Sequence, residues 1–114
     1  MPELPLEIDV AAAQALLNDG PHPTKCLLLD CRTPEEHGIA AIAGAKLLPM
    51  QEITERVAEL EPWRNEQIVV HCHHGMRSLK VTQWLREQGF AQATSMRGGI
   101  DAWSTAIDAK VPRY

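Results

Sequence analysis

Between Gln67 and Ser78 an apolar, β-branched run stops abruptly and a helical pattern starts, with Cys72, His73, His74, Gly75, Met76 and Arg77 in between. Gln67 to His71 has the character of a buried parallel strand, and from Ser78 onward the apolar residues fall at helical spacing. A strand that enters a helix through so short a connection implies a parallel sheet covered by helices, and it puts Cys72 at the turn. Successive amides curling around a side chain make an anion nest, to which the following helix adds the positive end of its dipole. A thiol held there ionises readily. Free cysteine titrates near ~8.5, and a helix N-terminus or nearby arginine lowers this by one to several units. Arg77 closes the loop with a fixed positive charge. The alternative is a buried strand-end cysteine that acts only as a small hydrophobe.

The rest of the chain repeats strand and helix. Glu7 to Asp9 reads as a short first strand, with Asp9 capping a helix from Val10 to about Asn18 that Gly20 and Pro21 end. Lys25 to Asp30 reads as a central strand. Thr33-Pro34-Glu35-Glu36 is a helix start, with Thr33 as cap, Pro34 at the first position and Glu36 completing a capping box. A third strand is expected over Ala45 to Leu48, then a helix with Ile53, Val57 and Leu60 on one face. The helix after the loop is expected over Arg77 to Gln88, with Ser78, Val81, Thr82 and Leu85 on one side and Gly89 as its stop. Ala93 to Met96 would be the last strand, and Ile100, Trp103 and Ile107 belong to a closing helix. The expectation is an α/β domain with a parallel sheet of about five strands and helices on both faces.

Composition narrows the function. With 114 residues, 45% of them hydrophobic, the chain fits one ordered domain, 1–114. A net charge of −4 with scattered basic residues speaks against a nucleic-acid surface. No apolar run reaches the ~20 residues of a membrane span, and Met1 to Val10 lacks a signal-peptide pattern, so a cytoplasmic protein is expected. Cys26, Cys31 and Cys72 are an odd number without a secretory signal, which fits thiols better than a disulfide framework.

Cys72, Gly75, Arg77 and Ser78 resemble the active-site loop of the rhodanese (sulfurtransferase) superfamily, in which a cysteine opens a loop that ends in a helix. The loop from Cys72 through Arg77 has six residues, the length of the sulfur-transferring members; related phosphatases and arsenate reductases carry one residue more. Leu29-Asp30-Cys31-Arg32 resembles the family's Asp-x-Arg strand end, Gly44-Ala45 its Gly-Ala, and Gly98-Gly99 with Trp103 its C-terminal Gly-Gly-x3-Trp. The likeness covers nearly the whole chain. One departure is Ala40-Ala41-Ile42-Ala43, where the family has Gly-His-Ile-Pro, so the rim near that segment is expected to be reshaped.

The resemblance implies a single-domain sulfurtransferase with Cys72 as nucleophile, loop residues His73, His74, Gly75, Met76, Arg77 and Ser78 around the transferred sulfur, and Asp30 and Arg32 in support. It implies small donors and acceptors such as thiosulfate, cyanide and thiols, passing sulfur through a Cys72 persulfide with no metal or organic cofactor. The closing segment Gly98 to Tyr114 resembles rhodanese domains appended to adenylylating enzymes, which points to a sulfur-carrier protein or such an enzyme as partner. Competing classes are a non-catalytic binding module and, against the short loop, a cysteine-dependent phosphatase or arsenate reductase.

Several roles stay open. Arg77 either holds an anionic donor or pairs with a carboxylate such as Asp30. His73 and His74 either contact the donor or are exposed without a role. Cys31 is either a resolving thiol for Cys72 or a satisfied core cysteine. A metal site is not expected at His71 to His74, because adjacent residues at a strand end point in opposing directions. Trp63, Trp84 and Trp103 mark packing or a partner surface.

Overall fold

A computed structural model describes residues 5–17, 26–42 and 44–113. Five strands, β1 (Glu7–Ile8), β2 (Cys26–Asp30), β3 (Lys46–Leu47), β4 (Gln67–His71) and β5 (Ala93–Met96), form one sheet in the order β1-β5-β4-β2-β3. Every pairing is parallel. β4 lies at the centre, in register with β2 from Cys26↔Gln67 to Asp30↔His71.

Both faces of the sheet are buried, which is why β2 and β4 read as continuous apolar runs rather than alternating ones. On one face Leu27, Leu29, Ile68 and Val70 pack with Ile53, Leu60, Val81, Leu85 and Phe90. On the other, Leu28, Val69 and Met96 pack with Val10, Ala13, Ile100 and Trp103. Helix α4 (Met76–Glu87) therefore covers the first face, and α1 (Val10–Leu17) and α5 (Gly99–Ala106) cover the second.

The local signals act as expected. Asp9 Oδ1 accepts from the Ala12 amide at the start of α1. Thr33 and Glu36 form the reciprocal capping box at the start of α2 (Pro34–Ile39). Gly89 ends α4 at φ +96° and Phe90 turns inward, 1% exposed. The stop at Gly20 and Pro21, the strand start at Lys25, Ala43 and Tyr114 lie outside the described residues.

One element differs. The helix expected after Pro49 is a 3-10 turn over Met50–Glu52, a single α-turn α3 (Ile53–Arg56) and a 3-10 stretch over Val57–Trp63. Ile53 and Leu60 still reach the core. Pro62 stands inside the final stretch and has no amide hydrogen to give, so a regular α-ladder is not continued there. Helix α4 also begins one residue earlier than expected, at Met76.

Candidate active site

Cys72 follows β4 directly, and its sulfur is the focus of the loop. The amide of Gly75 donates to Sγ at 3.0 Å and that of Ser78 at 3.4 Å, while Ser78 Oγ lies 3.5 Å away. The Ser78 hydroxyl is fixed in turn, 2.8 Å from Ser95 Oγ on β5 and donating to the Gly75 carbonyl at 3.1 Å. Gly75 holds φ +108°, and a β-carbon there would sit 3.2 Å from the Gly98 nitrogen. Only glycine suits both demands. The start of α4 adds its positive dipole end on the same side.

Helix α5 braces the loop from behind. Its Ile100 amide donates to the Cys72 carbonyl at 2.8 Å and its Asp101 amide to the His73 carbonyl at 3.2 Å. A β-carbon on Gly99 would lie 2.4 Å from the Cys72 carbonyl oxygen, so the Gly98-Gly99 step is what lets α5 come this close. The sequence motif marks the glycines but not their target.

Cys72 is 1% exposed. Its thiol is nonetheless held down to about 4, first by the neighbouring Cys31 thiol and then by the Ser78 hydroxyl and the Ser78 and Gly75 amides, against the opposing effect of burial. The Cys31 thiol moves the opposite way, raised by the Cys72 sulfur, by burial and by Asp30. In this structure the Cys31 S–H is directed at the His71 carbonyl, 3.4 Å from Sγ. Rotating that hydrogen about its C–S bond turns it toward an ionised Cys72, so one thiol loses its proton early and the other keeps it.

Arg77 does not pair with Asp30. Its guanidinium makes a bidentate bridge to Glu36, 2.7 and 2.9 Å, joining the start of α4 to α2. Asp30 is taken already: Arg32 donates to it at 2.9 and 2.7 Å from the side chain and 3.0 Å from the backbone, and His37 Nδ1 lies 2.7 Å away. Burial alone would raise the Asp30 pKa, but Arg32 and the histidines beside it win and hold it low. Arg32 is fully buried and also donates to the Ala40 carbonyl at 2.6 Å, fastening the segment after β2 to the end of α2. These hydrogen bonds of Asp30 and Arg32 run to each other, to His37 and to α2, not to Cys72.

His71 is fully buried, and neither ring nitrogen has a hydrogen-bond partner among the described residues. Burial lowers its pKa to about 4 against the pull of Asp30, so it is neutral at pH 7. Met76, expected to line the loop, is 76% exposed and turns outward.

His73 and His74 do not point apart. Their rings stack at 3.9 Å between centroids, and with Asp101 they place one ligand atom each within 4.8 Å of one another. They could hold a metal ion together, in contrast to the divergence expected from their adjacency. Asp101 is also held by Arg113 at 2.8 and 3.2 Å.

Within the 40–43 segment, Ala41 and Ile42 line a cleft of about 530 Å³ with Trp103, Ile107, Val111 and Pro112. Sequence reasoning missed Glu36 as the partner of Arg77, and Ser95. Glu36 was visible only as a capping residue, and it does both jobs.

A family model described as the rhodanese-like domain matches residues 9–106. The thiosulfate sulfurtransferase GlpE of Vibrio cholerae is 33% identical over 101 residues, covering 89% of this chain and 90% of that protein. An adenylyltransferase and sulfurtransferase of Zea mays is 36% identical over 87% of this chain. The chain spans only 21% of that protein's length, and 37% of another plant relative. The crystal structure of a rhodanese-like domain protein from Staphylococcus aureus superposes with a TM-score of 0.74 at 29% identity, covering 95% of this chain and 97% of that one.

Proposed function

Since the chain belongs to the rhodanese-like family of sulfurtransferase domains, we propose that it moves sulfane sulfur through a persulfide on Cys72, with residues 1–114 acting as one domain. The Cys72 thiolate attacks the outer sulfur of a donor such as thiosulfate, forming Cys72-S-S⁻ and releasing sulfite. A thiol, cyanide or a carrier protein then takes that sulfur. The observation that carries this reading is the pair of amides, Gly75 and Ser78, aimed at Cys72 Sγ from a six-residue loop at a helix start. Preorganised donors of this kind stabilise a sulfur anion as they would an oxyanion. The reaction calls on no metal or organic cofactor.

Burial of Cys72 adds a requirement, because a donor reaches the sulfur only if the rim gives way. The half-exposed bridge from Arg77 to Glu36 is the part able to do so: an anionic donor replaces the Glu36 carboxylate on Arg77 and is drawn in. The same burial favours a second reading, a binding module without turnover. Intact mass after incubation with thiosulfate separates the two. Sulfur transfer adds about 32 Da, one sulfur atom, to the peptide holding Cys72. A Cys72→Ser chain should gain nothing, and a wild-type chain that also gains nothing would favour the binding module over sulfur transfer.

Three free cysteines suit a reducing compartment, so a cytoplasmic setting is proposed. Among the described residues no helix is long and apolar enough to cross a membrane. Likeness to the maize protein, whose name joins adenylyl and sulfur transfer, supports a sulfur-carrier protein or its activating enzyme as partner.

A further inference from the structure

Cys31 and Cys72 occupy equivalent places on neighbouring strands. β2 and β4 are in register through Asp30↔His71, and each cysteine is the next residue. Adjacent strands lie ~4.8 Å apart, inside the ~4.4–6.8 Å between α-carbons that a disulfide spans. The Cys31 amide donates to the His71 carbonyl at 3.1 Å, which holds that spacing one residue past the strands. Both side chains belong to the same buried cluster and each is 1% exposed. Two thiols on one face of one rung, sealed from solvent, are placed to react with each other.

We propose that Cys31 is the resolving cysteine of Cys72: when no acceptor arrives, it displaces the carried sulfur as sulfide and closes a Cys31–Cys72 disulfide. The inference rests on the persulfide reading above. In the step, Cys31 Sγ attacks Cys72 Sγ; the bond from Cys72 to the outer sulfur breaks and the Cys31–Cys72 bond forms. The Cys31 proton leaves with the outer sulfur as HS⁻. Cys31 is oxidised and the outer sulfur is reduced, so no further oxidant is consumed. An external dithiol then returns both cysteines to thiols.

The chemistry also sets the order of events. Cys31 is kept protonated beside the Cys72 sulfur, so its thiolate fraction is small and its attack slow. An acceptor that reaches the loop takes the sulfur first; resolution wins only when acceptors are scarce. The third cysteine, Cys26, stands at the far end of β2, four residues from Asp30, and has no access to Cys72.

The test loads the full chain with thiosulfate, removes excess donor, and follows intact mass and sulfide without an acceptor. Wild type should first gain about 32 Da, then fall to about 2 Da below the reduced mass as one equivalent of sulfide appears. Peptide mapping should find Cys31 joined to Cys72. Cys31→Ser should keep its added sulfur and release none, while Cys26→Ser behaves as wild type. Wild type and Cys31→Ser that hold the sulfur equally, or release it at equal rates, would overturn the resolving role while leaving the persulfide intact. If neither chain takes up sulfur, the persulfide reading itself fails and this inference with it. Should Cys31→Ser not fold, absence of the Cys31–Cys72 peptide in wild type is enough to sink the proposal.

Discussion

The last rung shared by β2 and β4 and the residues just beyond it present two chemistries on opposite faces of one sheet. Asp30 and His71 face the side covered by α1 and α5, where Asp30 is saturated by Arg32 and His37. One residue on, Cys31 and Cys72 face the side covered by α4, where amides rather than salt bridges meet the sulfur. Alternation of side chains along a strand makes this partition possible with neighbouring residues. Charge that is fully paired fixes geometry and reacts with nothing; sulfur that is solvated by dipoles alone stays ionised and nucleophilic. Under the proposed function the ionic face is scaffold and the sulfur face is chemistry, a division that mutations can break.

The largest expected effect is on the ionic face. Arg32→Ala leaves Asp30 buried without its main partner, and breaking one side of a buried pair costs about 3–5 kcal/mol. The urea midpoint should fall accordingly. A loss of sulfur transfer with an unchanged midpoint would erase the division, because it would make Arg32 part of the chemistry.

Acid should act on the same face. His71 is depressed to about 4 when folded and ordinarily titrates near 6.5. Between those values the unfolded chain binds the proton and the folded chain does not, so stability rises with pH across that window and is lost as pH falls through it. The slope approaches about 1.4 kcal/mol per pH unit. The lowered Asp30 carboxyl adds loss of the same sign at still lower pH. A flat stability profile between pH 6.5 and 4 would show that His71 is not buried neutral.

A smaller effect sharpens the reading. His71→Leu keeps the volume and removes two unpartnered nitrogens, so it should change stability by less than about 1.5 kcal/mol in either direction and flatten the acid profile. Smallest in stability, though not in chemistry, is the sulfur face. Alkylation of Cys72 should be independent of pH through the neutral range and decline as pH drops through about 4. Cys31→Ala should move that decline upward, since the largest influence lowering the Cys72 pKa is gone, while the urea midpoint shifts by about 1 kcal/mol at most. A decline that stays in place would confine the control of Cys72 to the amides and Ser78.

Sequence made the strands at 26–30 and 67–71 legible because both faces are buried and their centres are unbroken apolar runs. The capping box at Thr33 and the glycine at position 75 were legible because they are local. What escaped was contact across the chain: Arg77 meets Glu36, 41 residues away, instead of Asp30. Periodicity says which face a residue occupies, not which of several carboxylates it finds there. The 50–63 segment showed the right apolar spacing and the wrong helix, since Ile53 and Leu60 reach the core from short 3-10 and α turns as well as from one regular helix. The stacking of His73 on His74 escaped for a related reason, because beyond the strand end the pleat no longer separates neighbours.

The methyl-sized gap denied at Gly99 bears on anyone who would transplant this site. Copying the six loop letters into another scaffold would carry the proposed nucleophile but leave its carbonyls ungripped, because the clamp on them arrives from α5, a later element of the chain. The portable unit is loop plus closing helix, two pieces separated in the gene and inseparable in the protein.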